Sequence, residues 1–338
     1  MSDIRKIKLG NQGLIVPQIG LGCMTMTTFG GADVYGEKAD ETEAIASIHR
    51  SKELGVNFLD TADVYGPLAN ERLIAKAIKG QRDQYIIASK FGEEVNDQGQ
   101  FTFNMNSSPA YLKKAIDRSL KNLQTDYIDL YYLHRMDKTT PIEETVHAMS
   151  ELVKEGKIKY IGLSEVSDAT IRKAHEIHPI TALQTEYSLF ERTVERLGIL
   201  DTLQELGIGF IAYSPLGRGF ITGSIKQLAD IPEGDFRRTI PRYQGEQFNM
   251  NLKLLSEIEN IAEEIGITTA QLAIAWIVSK GHIPIPGTKK RKYVEQNIAA
   301  SNVLLSTEIL QKLEAIIPIE MNTGLRYNEV IMKNIDMQ

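Results

Sequence analysis

Residues 58–66 read Phe58-Leu59-Asp60-Thr61-Ala62-Asp63-Val64-Tyr65-Gly66. The apolar run from Val56 to Leu59 has the length of a short buried strand, and it ends on a carboxylate. A tyrosine follows five residues later, just before a Gly-Pro turn. Asp60 is thereby expected at the mouth of a strand and Tyr65 on the adjoining loop, facing a common site. A tyrosine, with an ordinary pKa of about 10, donates protons poorly at neutral pH unless a nearby cation favours its ionised form. The next strand, Tyr85-Ile86-Ile87-Ala88-Ser89-Lys90, ends on such a cation. The one after it, Tyr127-Ile128-Asp129-Leu130-Tyr131-Tyr132-Leu133-His134, ends on an imidazole. Taken singly, a strand-end Asp is ordinarily a cap or turn former and a Lys a solvated surface group. Four proton-handling groups at equivalent positions of three successive units form a pattern that those readings do not account for.

Outward from this stretch, strand-like and helix-like segments alternate. A hairpin is expected over residues 6–16 and a first barrel strand at Ile19-Gly20-Leu21-Gly22. Helices follow near 69–79, near 109–123 with a Ser108-Pro109 start signal, and from Ile142 to Gly156. Further strands are Ile158–Leu163, Ala182–Thr185, Ile208–Tyr213 and His282–Ile285. Helices are expected near 252–265, 269–280, 290–301 and around Leu310, Leu313 and Ile317. Residues 217–250 read as a long loop without periodicity, and 318–338 as a tail with little pattern. Alternation repeated about eight times means a parallel sheet. Gly20-Leu21-Gly22 lacks the third glycine of an open dinucleotide-binding sheet. The expected fold is therefore α/β, a (β/α)8 TIM barrel over residues 1–338 as one domain, with its active site at the carboxyl ends of the strands.

At 338 residues with 42% hydrophobic and 24% charged residues, the chain can build a large core. The net charge of −6 gives no global attraction to nucleic acid. Cys23 is the only cysteine, which points to a reducing compartment, and no apolar run approaches a membrane span. A cytoplasmic protein acting on a small molecule is expected, with no membrane or nucleic-acid partner. His175-x-x-His178 reads as a helix end rather than half a metal site, and no metal is expected.

The set Asp-Thr-Ala-Asp-Val-Tyr-Gly, Ala-Ser-Lys and Tyr-Leu-His resembles the aldo-keto reductases, and the likeness runs from Ile19 to Asn297. The segments Lys157–Glu165 and Tyr187–Phe190 look like the branch that contains plant perakine reductase and bacterial relatives. The resemblance implies a catalytic tetrad of Asp60, Tyr65, Lys90 and His134, an NADP(H) cofactor and a carbonyl substrate. Lys90 is then expected to lower the Tyr65 pKa, Asp60 to orient Lys90, and His134 to position the carbonyl oxygen.

Tyr213-Ser214-Pro215-Leu216-Gly217-Arg218 offers an aromatic face, a hydroxyl and a tight turn for the cofactor. By resemblance Tyr213 stacks on the nicotinamide while Ser164 and Gln184 hold its carboxamide. Gly22, Cys23 and Met24 line the same side. Pro286-Gly287-Thr288-Lys289-Lys290-Arg291-Lys292 opens a helix whose N-terminus suits an anion. Its cations suit the 2′-phosphate of NADP, with Lys289 standing in for a lysine that Gly287 replaces, and Gln296 and Asn297 match the adenine pair. Ser164-Glu165 replaces the usual Ser-Asn, leaving Glu165 without an assigned role. The substrate pocket is expected to include Met24, Tyr35, Phe91, Arg135 and parts of 217–250 and the tail. Two other readings remain: a cofactor-binding regulatory subunit resembling potassium-channel β subunits, and an isomerase or aldolase using Lys90 as a Schiff-base nucleophile.

Overall fold

The computed structural model describes residues 4–29, 32–36 and 38–337. Eight parallel strands form one sheet: β1 (Leu21–Gly22), β2 (Phe58–Asp60), β3 (Ile86–Phe91), β4 (Ile128–Leu133), β5 (Ile158–Ser164), β6 (Ala182–Glu186), β7 (Gly209–Tyr213) and β8 (Ile283–Pro284). Their spatial order follows the sequence. The sheet closes on itself, because the Gly20 N–H donates to Pro284 O at 3.0 Å and the Gly22 N–H to Pro286 O at 3.3 Å. The fold is the expected (β/α)8 barrel.

Side chains alternate across each strand, as the pleat requires. Phe58, Ala88, Leu130, Tyr132, Ala182, Ile211 and Ile283 fill the barrel interior. Leu59, Ile87, Phe91, Tyr131, Leu133, Ile161 and Leu163 point outward into the larger core shared with the helices. The N-terminal hairpin, strands Lys6–Leu9 and Leu14–Pro17, adds Leu9, Leu14 and Val16 to the inner cluster and so covers the amino-terminal end of the barrel.

The outer layer consists of α1 (Glu41–Glu53), α2 (Ala69–Ala77), α3 (Pro109–Leu123), α4 (Ile142–Lys154), α5 (Asp168–Ile177), α6 (Ile199–Leu206), α7 (Gly245–Glu264), α8 (Thr269–Ser279), α9 (Arg291–Ala300) and α10 (Thr307–Ile316). Ser108 caps α3 by accepting from the Tyr111 N–H, and Thr268 with Gln271 forms a capping box on α8. The apolar pattern does not announce α1, whose only large apolar residues are Ile45 and Ile48. Nor does it announce α6, which is 8 residues long and bounded by left-handed glycines. The unpatterned stretch after β7 is shorter than expected. Short 3-10 turns occupy Gly217–Gly219, Leu228–Asp230, Phe236–Thr239 and Pro241–Tyr243, and α7 starts at Gly245. Its first turns carry only Phe248 and Met250 among polar residues, which hides the helix from a periodicity reading.

Among the described residues no single helix is long and apolar enough to cross a membrane. The α7–α8 pair has the composition for it, but the two helices meet at 86°.

Candidate active site

The carboxyl ends of β2, β3 and β4 bring Asp60, Lys90, Tyr65 and His134 together inside the mouth of the barrel. Asp60 and Lys90 are inward-pointing residues, and both are buried. The Lys90 ammonium donates to Asp60 Oδ1 at 2.5 Å and to Thr61 O at 2.8 Å, and lies 3.4 Å from Tyr65 Oη. The Tyr65 and His134 rings meet edge to face with centroids 5.9 Å apart. Gln184, at an inward position of β6, donates to Asp60 Oδ2 at 2.7 Å. Behind this group, Asn70 accepts from Thr61 Oγ1 at 2.7 Å and donates to Cys23 O at 2.8 Å, which ties the loop after β2 to the loop after β1.

One electrostatic expectation is reversed. Lys90 is expected to lower the Tyr65 pKa, yet burial pushes the Tyr65 phenol well above its usual value, with the Asp60 and Glu93 carboxyls adding to the rise. Lys90 sits nearer Asp60 than Tyr65, so its charge is spent on the carboxylate, while its own desolvation lowers its pKa. Tyr65 therefore keeps its proton throughout the physiological range. Burial, with Arg135 and Lys90 nearby, holds the His134 imidazole well below its usual pKa and hence neutral.

Phe91 does not belong to the pocket. It follows Lys90 on β3, so the pleat turns it to the opposite face, where it is fully buried and stacks on Tyr131 at 5.3 Å. Arg135 does lie at the mouth, donating to His134 O at 2.7 Å and to Ser164 Oγ at 3.1 Å. Tyr35 has a left-handed backbone (φ 58°) and packs under the Arg237 guanidinium at 4.6 Å, on the side of the 217–250 segment. Met24 packs with Phe29 and Phe101 around Tyr65.

The residues expected to hold a dinucleotide lie along the neighbouring strand ends. Gly22 and Gly287 pair as an isolated parallel bridge. A Cβ on Gly22 would meet Ile285 O at 2.8 Å and Gly287 Cα at 3.3 Å, so the close approach of the two backbones requires glycine at position 22 and leaves a bare cradle. Ser164, at the end of β5, and Gln184, paired with it midway along β6, face the interior, although the Gln184 amide is turned to Asp60. Tyr213, Ser214, Pro215, Leu216 and Gly217 form the turn after β7, and Tyr213 Oη lies 3.1 Å from Tyr327 Oη. Thr288 Oγ1 accepts from the Lys290 N–H at 3.2 Å at the entry to α9, with Lys289 between them and Asn297 buried nearly two turns into the helix. Arg291 is engaged elsewhere, bonding Glu43 of α1 at 2.9 Å, and Gln296 donates to Thr268 Oγ1 at 2.8 Å. Cradle, basic helix start and inward polar strand ends together fit a phosphorylated dinucleotide.

The tail is ordered by an ionic network that no local pattern reveals. Arg326 forks onto Glu165 at 2.8 and 2.5 Å, Arg218 donates to Glu186 at 2.5 Å, and Arg242 to Glu191 at 2.7 Å. All six are buried. The tail is thus fastened to the end of β5, and the 217–250 segment to the end of β6 and the loop beyond it. Asp336 adds a bond to Thr170 Oγ1 at 2.6 Å. Glu165 acquires a structural partner here, and Arg218 is already committed to a carboxylate. A cavity of about 210 Å³ lies beneath this tail, lined by Phe190, Arg196, Met321 and Met332 among others, apart from the tetrad. Among the described residues no cluster of His, Cys, Asp or Glu is placed to hold a metal ion.

Fold and site together define a barrel protein with a buried Lys–Asp pair, a tyrosine and a histidine converging at one end. The sequence matches the model of the Aldo/keto reductase family over residues 18–318, and the chain belongs to that family. It is 44% identical over 329 residues to a probable aldo-keto reductase of Glycine max, covering 96% of this chain and 92% of that protein. It is 43% identical over 327 residues to a Schizosaccharomyces pombe aldo-keto reductase whose name specifies NADP(+), covering 95% and 93%. The solved glycerol dehydrogenase of Gluconobacter oxydans superimposes with a TM-score of 0.82 at 26% identity, covering 92% of this chain and 94% of that one.

Proposed function

We propose that the protein is an NADPH-dependent carbonyl reductase that converts aldehydes or ketones to alcohols, with Tyr65 as the proton donor. The observation that carries this reading is the contact of a buried Lys90–Asp60 pair with a tyrosine that retains its proton, 3.4 Å away. A nicotinamide dinucleotide, when bound, supplies the hydride. Gly22 and Gly287 would admit its backbone closely, Tyr213 would face its ring, and Lys289 with the start of α9 would receive its 2′-phosphate. Tyr65 delivers the proton to the carbonyl oxygen, and Lys90 stabilises the phenolate that results. His134, neutral, hydrogen-bonds the same oxygen, so that two donors are aimed at the charge as it develops. The name of the Schizosaccharomyces pombe relative supports the choice of NADP. The test is Tyr65→Phe, which should lose at least roughly 100-fold in turnover of a test aldehyde, as expected for a general acid, while nucleotide quenching of Trp276 fluorescence stays near normal. Parent-like reduction by this variant would remove Tyr65 from the mechanism.

A further inference from the structure

Glu93 is the first residue of a short hairpin, Glu93–Val95 with Phe101–Met105, that follows β3. Gly92 has φ +115°, and a Cβ there would meet Arg135 O at 2.6 Å. The chain can therefore double back tightly over the end of β4, which carries Glu93 to His134. Glu93 Oε2 and His134 Nδ1 are 3.3 Å apart, with the two residues 8% and 7% exposed. As placed, the alignment falls short of a hydrogen bond, and neither atom has any other partner among the described residues. Two buried, complementary, unsatisfied atoms within reach of each other are costly unless they serve one another. Reactive-site hydrogen bonds are also commonly long until substrate is seated.

We propose that Glu93 is a positioning residue that sets the tautomer of His134, and that the pair gains or loses one proton between the reducing and the oxidising directions; this rests on the reductase reading above. In the protonated pair, the Glu93 carboxyl donates O–H to Nδ1, and the Nε2–H is left to donate to a carbonyl oxygen. Loss of one proton to solvent leaves Nδ1–H donating to the Glu93 carboxylate. Nε2 then presents a lone pair that accepts the hydroxyl of an alcohol. Burial raises the Glu93 pKa, opposed by Arg135 and then Lys90, so the protonated form extends above the usual carboxyl range. The other charged or titratable groups facing the pair are Asp63 and Tyr65.

The experiment is long-range ¹⁵N–¹H spectroscopy of the histidine rings across pH 5–9. The His134 signals are assigned by their absence in His134→Asn, and the same spectra are recorded for Glu93→Gln and Glu93→Leu. In the parent, His134 should show the Nε2–H tautomer at low pH and cross to the Nδ1–H tautomer as pH rises, without becoming an imidazolium. Glu93→Gln, whose amide donates to Nδ1 but cannot titrate, should hold the Nε2–H form throughout. It should keep reductase turnover at pH 6 and lack the rise in alcohol oxidation that the parent should show as pH rises through the crossing. Glu93→Leu should lose the crossing and roughly 100-fold in kcat, at the low end of a general acid–base contribution, with KM little changed. A parent spectrum with no tautomer crossing, or a crossing that persists in both variants, overturns the proposal. The spectra decide this whether or not the protein turns over NADPH, so failure of the reductase reading would be separately visible.

Discussion

Replacing Arg326 with Met should be the most destabilising single change in the tail, and the structure sets its size. Arg326 gives both arms of its guanidinium to Glu165, whose side chain is 0% exposed. Arg326→Met leaves that carboxylate buried without its main partner, and breaking one side of a buried pair costs about 3–5 kcal/mol. Unfolding entropy of roughly 2.1 cal/mol/K per residue, over the whole chain, converts that into a fall in Tm of about 4–7 °C. Adding Glu165→Gln removes the stranded charge and should recover more than half of the loss. Recovery stays incomplete because Arg135 and the Glu186 N–H also serve Glu165.

The pH dependence has a definite sign. In the parent, burial alone would raise the Glu165 pKa, but Arg326 and Arg135 outweigh it and hold it below 4.5. Its stabilising contribution is therefore complete above that value and is lost as pH falls through the folded pKa. Without Arg326, burial dominates and the group costs stability until it is protonated. The gap in Tm between variant and parent should accordingly be wide at pH 7 and narrow as the pH drops below about 5. Thermal melts of parent, single and double variants at pH 7 and pH 4.5 measure all of this. A single variant within 1 °C of the parent at pH 7, or a double variant no more stable than the single, would refute the argument.

Gly22→Ala should force the β1 and β8 backbones apart, since the new methyl lies 2.8 Å from Ile285 O. Overpacking of this kind costs about 1–3 kcal/mol, and nucleotide affinity should fall with Tm in differential scanning fluorimetry and fluorescence titration. Unchanged values in both would remove the cradle. Lys289→Gln should weaken NADPH binding about tenfold, one charge-assisted contact or roughly 1.4 kcal/mol, and leave NADH binding as it was. Equal losses for both nucleotides would place the 2′-phosphate elsewhere.

Much of the site is legible in the sequence because a barrel strand writes its ends plainly. A short apolar run that stops on Asp60, Lys90 or His134 puts that residue at the mouth, whichever helices surround it. The period of two also explains the misreading of Phe91, which looks pocket-like beside Lys90 but occupies the opposite face. What stays hidden are contacts between segments far apart in the chain. Arg326 and Glu165 are 161 positions apart, and nothing near Arg326 marks it as different from any tail arginine. Glu93 carries no signal of its own in the sequence, and only the turn at Gly92 brings it back to His134. The direction of the Tyr65 shift needs the distances themselves, since only they reveal that Asp60 stands closer to Lys90 than the phenol does.

Among the described residues, the N-terminal hairpin closes the amino-terminal end of the barrel. Leu9, Leu14 and Val16 occupy the amino-terminal end beneath Phe58 and Ile211, and the Asn11 N–H holds Gly207 O at 2.9 Å. Under the proposed reductase function, reactants would enter and leave at the opposite end, the one framed by the tail and the 217–250 segment. A bead or electrode coupled at the hairpin turn, residues 10–13, would therefore hold the protein by its sealed base and leave traffic through the mouth unimpeded, whereas coupling near Tyr327 would stand in the doorway.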